Sequence, residues 1–200
     1  MKILGLTGPS GAGKGEVASL LSARNVPVLD ADAIYHTLLI PPSPCLDALV
    51  GHFGDGILTP EGCLDRTALG AIVFGNAEKL STLNIITHRF VMEEVHRRLA
   101  ELEQSGVPLA ILDAPQLFEA GAEKDCDLVI AVLADRAIRK ERILARDGIP
   151  EEAVERRLNA QKSDEFFLER ADEVLWNNGS AEQLREALDA LLARRGVRDS

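Results

Sequence analysis

The feature that most restricts the fold of this chain is GPSGAGKGE, residues 8–16, which directly follows the apolar run ILGLT. An apolar run that stops at closely spaced glycines predicts a buried strand followed by a tight loop. Apolar residues at helical spacing follow: Val17, Leu20 and Leu21. A strand, a glycine loop and a helix in this order favour anion binding, because glycines let backbone N–H groups turn inward and the helix adds its positive end.

The loop fits the phosphate-binding pattern G-x-x-x-x-G-K-S/T through Gly8, Gly13 and Lys14, but not at its last position. Lys14 is expected to neutralise the β- and γ-phosphates of a nucleotide. Gly15 stands where a hydroxyl would hold Mg²⁺, and Glu16 follows. Because the cradle is built from backbone amides and Mg²⁺ keeps several waters, we expect the site to bind nucleotide and a water to replace the hydroxyl.

Four further apolar runs predict strands: residues 26–30, 108–115, 127–134 and 172–176. They are continuous rather than alternating, which is typical of strands covered on both faces. Helical patterns separate them. The predicted fold is therefore α/β: a five-stranded, doubly wound parallel sheet flanked by helices.

Two regions interrupt this alternation. A mostly helical insertion is predicted at 34–106, within which residues 76–104 fit either one long helix or two. An arginine-rich region is predicted at 135–171. The remaining segments, 1–33, 107–134 and 172–200, form the predicted core of a single domain. A capping box of Ser180 and Gln183 predicts where the last helix begins.

Acidic residues follow two of the predicted strands, at the sheet edge where α/β proteins bind ligands. For Asp32 a functional role is favoured over a helix N-cap: a base for an acceptor hydroxyl or a water-mediated magnesium ligand. Asp30 fits an N-cap as well as a functional role. Asp113 fits a metal-side acid, and also a simple turn cap before Pro115.

Arg139, Arg142 and Arg146 recur at i, i+3 and i+7 and so share one helix face. This face either solvates an acidic protein or carries phosphate contacts, for which a guanidinium is suited. We predict at least one phosphate-contacting arginine here, on a helix that closes over the transferred group. The stretch WNNGS, residues 176–180, predicts a tight turn.

Composition excludes several classes of function. The net charge of −10 argues against a general binder of nucleic acid or anionic membranes, which needs clustered cations. No apolar run approaches the roughly 20 residues of a membrane span. The three cysteines contain no C-x-x-C pair and fit free thiols in a reducing compartment. We therefore predict a cytoplasmic protein with no obligate protein partner.

The residues themselves predict a nucleotide-dependent phosphotransferase. A nucleoside monophosphate kinase is one alternative, although such an enzyme needs an arginine-rich pocket early in the chain and residues 31–75 contain only Arg66. A nucleotide-binding protein that lost catalysis with its magnesium hydroxyl is the other alternative.

Taken in order, the motifs resemble those of dephospho-CoA kinases. After the glycine loop come D-A-D at 30–32, L-D-R-x-x-L at 64–69 and D-x-P-x-L-F-E at 113–119. The arginine helix, A-Q at 160–161 and A-D-x-V with N-N-G over 171–179 complete the series. Gly15 and Glu16 replace the family's usual hydroxyl pair, and Arg89 stands where proline is usual.

The resemblance implies a P-loop kinase that uses ATP and Mg²⁺ to phosphorylate the 3′-hydroxyl of dephospho-CoA, with the insertion binding the substrate and residues 135–171 forming a lid. It implies that Lys14, Asp32 and Arg142 are catalytic and that Asp32, Arg66 and Asp113 lie on the substrate side. Asp113 would also face the metal through water. The residues implied to bind ATP are Gly11, Ala12, Gly13, Lys14, Gly15, Glu16 and Asn178.

Overall fold

The five apolar runs form one sheet in the computed structural model, which describes residues 1–197. The strands are β1 (Lys2–Thr7), β2 (Val28–Asp30), β3 (Leu109–Asp113), β4 (Leu128–Leu133) and β5 (Glu173–Trp176). Their order across the sheet is β2-β3-β1-β4-β5, and β1 pairs in parallel with both β3 and β4. The predicted five-stranded parallel sheet flanked by helices is confirmed.

The register brings the carboxyl ends of the strands to one edge. Leu6 of β1 pairs with Asp113, Thr7 pairs with Ala131, and Leu133 pairs with Trp176. The segments that follow β1, β3, β4 and β5 therefore leave the sheet side by side. This is the edge where parallel sheets place their ligands.

Nine α-helices lie in residues 1–197, with short 3₁₀ turns at Asp55–Ile57 and Ala122–Asp125. The helices are α1 (Lys14–Ser22), α2 (Ala31–Thr37), α3 (Pro44–Phe53), α4 (Arg66–Val73), α5 (Ala77–Gln104), α6 (Arg136–Asp147), α7 (Glu151–Asn159), α8 (Asp164–Leu168) and α9 (Ala181–Arg194). The segment predicted as one helix or two is one helix, α5. None of these helices has the length and apolar content that crossing a membrane requires.

The sheet is covered on both faces, as its continuous apolar strands predict. On one face, Val17 and Leu21 of α1 and Leu188 of α9 pack with buried strand residues such as Ile130. On the other face, Phe167 of α8 packs with Ala131 and Leu133. Burial of these side chains contributes about 1.5–3 kcal/mol each and holds the loop-bearing ends of the strands in place.

Contacts divide the chain into two compact units. One contains Met1–Leu29 and the residues from Leu102 onward, and the other is Asp30–Glu101. The second unit has its own core, formed by Leu39, Cys45, Leu49, Ile57, Leu69 and Val73. The predicted boundaries of a core, an insertion and a lid stay a prediction, and the last three residues of the predicted 172–200 segment lie outside the described part.

The cysteines carry free thiols: Cys45 is buried, Cys126 is half-buried and Cys63 is exposed. Burial, together with the nearby carboxylates, raises the pKa of the Cys126 thiol to about 12. A thiol that stays protonated is a poor nucleophile. Cys126 therefore acts as a small packing residue.

The predicted capping box at the start of α9 is present. The Ser180 hydroxyl accepts from the Gln183 N–H at 3.3 Å, and the Gln183 side chain accepts from the Ser180 N–H at 2.9 Å. We expect Ser180→Ala to lower the free energy of unfolding by about 1 kcal/mol, because a helix N–H loses its acceptor. Urea denaturation followed by circular dichroism measures this change. Ser180→Asp keeps an acceptor and should unfold close to the wild type; equal losses in both variants would contradict the capping role.

Candidate active site

The glycine loop joins β1 to α1, as predicted. Gly8, Gly11 and Gly13 all have positive φ, at 146°, 81° and 99°. Gly13 is the N-cap of α1, and among residues 1–197 no side chain caps this helix start. Within residues 1–197 the N–H groups of Lys14 and Gly15 donate to no backbone carbonyl, whereas the Glu16 N–H donates to the Gly13 carbonyl at 3.0 Å, so the first two amides and the positive end of the helix dipole are left for a ligand.

Backbone amides of the loop supply donors for an anion. Within residues 1–197, the N–H groups of Gly11, Gly13 and Lys14 donate to no backbone carbonyl, whereas the Ala12 N–H donates to the Pro9 carbonyl at 3.2 Å. Amide donors grouped around a helix start bind phosphate. This donor set fits the phosphates of a nucleotide.

Neighbouring residues behind the loop also leave no space for side chains at the positions of the loop glycines. A Cβ on Gly8 would overlap the Val132 carbonyl oxygen, and one on Gly13 would overlap the amide nitrogen of Asn177. A Cβ on Gly11 would come within 2.6 Å of the Arg139 carbonyl oxygen. Side chains at these positions are excluded by sterics in addition to φ.

The carbonyls of the loop are held from behind by three polar side chains. Arg139 Nε donates to the Ser10 carbonyl at 3.1 Å, and Asn177 Nδ2 donates to the Ala12 carbonyl at 2.9 Å. Arg142 Nη1 lies 3.4 Å from the carbonyls of both Gly11 and Ala12, and its Nη2 lies 3.3 Å from Asn177 Oδ1. Side chains of helix α6 and of the residue after β5 thus donate hydrogen bonds to the carbonyls of three consecutive residues.

Lys14 forms an ion pair with Asp113. Asp113 is the last residue of β3, and its side chain is buried together with the neighbouring Thr7. The Thr7 hydroxyl donates to the Pro115 carbonyl at 3.2 Å. The predicted metal-side acid therefore lies within contact of the lysine of the loop.

Gly15 and Glu16 are exposed in the first turn of α1. A Cβ on Gly15 would meet no heavy atom within 4 Å. Among residues 1–197, no group of three or more His, Cys, Asp and Glu side chains is arranged to bind a metal ion. The expected water-mediated metal role of Asp113, at the end of β3, stays a prediction.

The arginines on this face of α6 mainly contact other residues of the protein. Arg139 is buried; its Nη2 donates to Gln161 at 2.5 Å and its Nη1 lies 3.4 Å from Asp164. Burial lowers the pKa of Arg139 from its usual value, and Asp164 opposes that shift. Arg146 is exposed and pairs with Asp147, whose pKa it lowers to about 2 through a hydrogen bond. The predicted phosphate contact by Arg142 stays a prediction.

The two asparagines after β5 have different surroundings. Asn177 is buried against the loop, whereas the Asn178 side chain exchanges two hydrogen bonds with Asp135, at 2.8 and 3.0 Å. The nucleotide contact expected of Asn178 stays a prediction, and for Asn177 the sequence pattern predicts only a place in a turn. Their positions after the strand distinguish them: Asn177 continues the β4–β5 ladder through its N–H to the Leu133 carbonyl at 2.8 Å.

A second group of polar residues lies in the Asp30–Glu101 unit. Asp30 is the N-cap of α2 and accepts from the N–H groups of Asp32 and Ala33 at 2.9 and 3.0 Å. Asp32 and His36 are four residues apart on α2 and so are neighbours on its surface. Arg66, the first residue of α4, donates to His36 Nδ1 at 2.8 Å. Because a guanidinium only donates, Nδ1 is the unprotonated nitrogen of this imidazole. The spacing of the four histidines in the sequence gives no signal for a functional His36.

Comparison with known proteins decides the family. The family model for dephospho-CoA kinase matches residues 2–183. The chain belongs to the dephospho-CoA kinase family. A Corynebacterium efficiens dephospho-CoA kinase is 43% identical over 190 residues, covering 95% of both chains, and one from Geobacter sulfurreducens is 38% identical over 195 residues, covering 98% of this chain and 99% of the relative.

Solved structures agree with this family assignment. A Thermus thermophilus crystal structure superimposes with a TM-score of 0.82 at 37% identity, covering 96% of this chain and 97% of that one. A dephospho-CoA kinase from Campylobacter jejuni has a TM-score of 0.71 at 25% identity, with 98% of both chains covered. Shikimate kinase from Acinetobacter baumannii, at 15% identity and a TM-score of 0.54, shares the fold. The predicted family and P-loop kinase fold are confirmed, and the chain is a kinase.

The space around Gly15 makes a testable distinction between two glycines of the loop. We expect Gly15→Ser to change the free energy of unfolding by less than about 0.5 kcal/mol, because within residues 1–197 a Cβ at this position comes within 4 Å of no heavy atom outside its chain neighbours and its own helix backbone. We expect Gly13→Ala to lower it by about 2 kcal/mol or more, because φ of 99° is strained for alanine and Asn177 fills the space. Urea denaturation of the two variants measures the difference. A large loss of stability in Gly15→Ser would show that the helix start cannot take a hydroxyl.

Proposed function

We propose that this chain transfers the γ-phosphoryl group of ATP to the 3′-hydroxyl of the ribose of dephospho-CoA, giving coenzyme A and ADP. The observation that carries the proposal is the glycine loop with Lys14 in a chain of the dephospho-CoA kinase family. In the transfer, a bond forms between the ribose oxygen and the γ-phosphorus, and the bond from that phosphorus to the bridging oxygen of ADP breaks. The hydroxyl proton goes to a carboxylate of the protein.

On the donor side, the amides of the loop hold the phosphates. The proposed ATP-binding residues are Gly11, Ala12, Gly13, Lys14, Gly15 and Glu16. Of these, Ala12 and Glu16 use their N–H groups within the protein, and Lys14 carries the charge that neutralises the β- and γ-phosphates. Arg142 adds a second cation, and Asn178 lies near the base. Most of the catalysis then comes from positioning and charge neutralisation, as is usual for phosphoryl transfer.

On the acceptor side, Asp32 is proposed to take the hydroxyl proton and Arg66 to bind an anionic group of dephospho-CoA. The contact between Arg66 and His36 supports the second role, because it holds the guanidinium in one direction. Residues 34–106 would thus bind the acceptor, while residues 135–171 would act as the lid.

Mg²⁺ is proposed to accompany ATP and to neutralise charge on the phosphate oxygens when bound. Asp113 would face the ion through water. The missing hydroxyl at Gly15 weakens the support for a tightly held ion but leaves the amide cradle unchanged. We further propose that the protein works in the cytoplasm on these two small-molecule substrates, without nucleic acid, membrane or an obligate protein partner.

We predict that the purified protein releases ADP from ATP in the presence of Mg²⁺ and dephospho-CoA, and that Lys14→Ala lowers this rate at least about a thousand-fold because the phosphate charge is no longer neutralised. A coupled assay of ADP release across a Mg²⁺ titration measures both rates.

Lys124→Ala, which removes an exposed lysine of the 3₁₀ turn at Ala122–Asp125, outside the proposed acceptor-binding insertion and lid, is the control and should leave the rate unchanged. Faster ADP release with AMP than with dephospho-CoA as acceptor would favour a nucleoside monophosphate kinase. ATP binding without ADP release at any Mg²⁺ concentration would favour a non-catalytic nucleotide-binding protein, and either result would overturn the proposal.

We predict that Arg66→Ala raises the KM for dephospho-CoA about 10- to 100-fold, the range expected for a lost charged hydrogen bond, and leaves the KM for ATP unchanged. His36→Asn should retain most of the affinity, since its Oδ1 can replace Nδ1 as the acceptor for Arg66. His36→Gln, whose acceptor lies further out, should raise the KM for dephospho-CoA. Steady-state kinetics with each substrate varied in turn distinguish these outcomes, and equal KM values in the two His36 variants would contradict the positioning of Arg66.

A further inference from the structure

Asn177 is a buried polar side chain at the glycine loop. Its relative exposure is 2%, and both ends of its amide are used. Nδ2 donates to the Ala12 carbonyl at 2.9 Å, and Oδ1 accepts from Arg142 at 3.3 Å. Burying a side-chain amide costs free energy unless its hydrogen bonds are made. Because all partners of the Asn177 amide lie on one loop and one helix, these bonds fix its position.

The effect of this amide on the loop follows from the planarity of the peptide bond. In a trans peptide, the C=O and the next N–H point in opposite directions. Asn177 holds the Ala12 carbonyl on the protein side, so the Gly13 N–H points away from Asn177. The same geometry at the Ser10 carbonyl, held by Arg139, directs the Gly11 N–H outward.

Hydrogen bonds to the carbonyls also polarise these peptide units. A C=O that accepts from a guanidinium or an amide makes the N–H of the same peptide a better donor, because linked hydrogen bonds strengthen one another. Ala12 receives both the Asn177 amide and Arg142. The Gly13 amide is therefore both oriented and strengthened from behind.

We infer that Asn177 is a positioning residue for nucleotide binding: it fixes the Ala12–Gly13 peptide so that the loop amides face the phosphates before ATP arrives. It acts through the loop and touches no substrate. The inference rests on the proposed ATP site and assigns a role to the buried asparagine that follows β5. It also explains why position 13 must be glycine, since the Asn177 amide occupies the space of a Cβ.

Affinity for nucleotide and for inorganic tripolyphosphate tests this role. We expect Asn177→Ala to weaken binding of both ADP and tripolyphosphate about ten-fold, the effect of one lost hydrogen bond on preorganised donors. Isothermal titration calorimetry gives both affinities. The KM for dephospho-CoA should stay within two-fold of the wild type, because the acceptor site is not involved.

Tripolyphosphate has the phosphates of a nucleotide but no base, so its affinity distinguishes an effect on the loop from an effect on adenine binding. If Asn177 contacted adenine instead, ADP binding would weaken while tripolyphosphate binding stayed unchanged, and the inference would be wrong. Unchanged affinity for both ligands would overturn it equally. The affinities for ADP and tripolyphosphate are measured without turnover of dephospho-CoA, so failure of the proposed acceptor leaves these two results interpretable.

Asn177→Asp is the second variant, because it keeps the shape and the acceptor for Arg142 but removes the donor to Ala12. It should lower the affinities for ADP and tripolyphosphate at least as much as Asn177→Ala does. Asn25→Asp, the same exchange at an exposed position, is the control and should change neither affinity. Thermal denaturation checks folding; if neither Asn177 variant folds, Asn177 serves the core rather than the loop and the inference fails.

A double-mutant cycle with Gly13 provides an independent check. Asn177→Ala removes the group that a Gly13 side chain would overlap. The loss of ADP affinity caused by Gly13→Ala should therefore be smaller in the Asn177→Ala background than in the wild type, which is the non-additivity expected of residues in contact. Strict additivity would contradict direct packing of the amide on Gly13.

Discussion

The part of the site that is proposed to bind ATP depends on one property of the backbone: the N–H and C=O groups of each peptide unit point in opposite directions. A loop that offers its N–H groups to an anion must turn its carbonyls the other way, and a carbonyl turned into the protein needs a donor there. In this chain Arg139, Arg142 and Asn177 are those donors, and they contact the carbonyls of Ser10, Gly11 and Ala12. The phosphate cradle is thus built as much by α6 and the end of β5 as by the loop itself.

The contacts behind the loop give a second reason why glycine is required at several of its positions. From sequence, a glycine loop is explained by the close approach of a ligand and by positive φ. The structure adds a constraint from the protein side, since side chains at Gly8, Gly11 and Gly13 would overlap Val132, Arg139 and Asn177, respectively. Gly15 has neither constraint, because its Cβ would meet open space. The motif therefore contains three glycines that the fold requires and one that it tolerates.

The strands, the loop and the final capping box could be predicted because each depends on residues close in sequence: apolar runs, glycine spacing, and Ser180 with Gln183. Partners distant in sequence could not be predicted. The i, i+3, i+7 arginines of α6 predict a solvated face or phosphate contacts, yet Arg139 is buried, where the Ser10 carbonyl and Gln161 accept its hydrogen bonds and Asp164 compensates its charge. Likewise, the sequence pattern N-N-G does not tell which asparagine faces inward, and the register of β5 decides it.

The absence of a hydroxyl at position 15 is easier to understand in this setting. A phosphate-binding loop supplies positive potential from three sources: the amides, the helix start and Lys14. All three are present here, and the amides are polarised by cations behind the loop. The hydroxyl would have contributed one neutral ligand among several to an ion that keeps much of its water. Without this hydroxyl, little of the positive potential at the loop is missing, and in the proposed function carboxylates would orient the metal ion. Asp113, already paired with Lys14 at the end of β3, is the carboxylate that the sheet places at the loop.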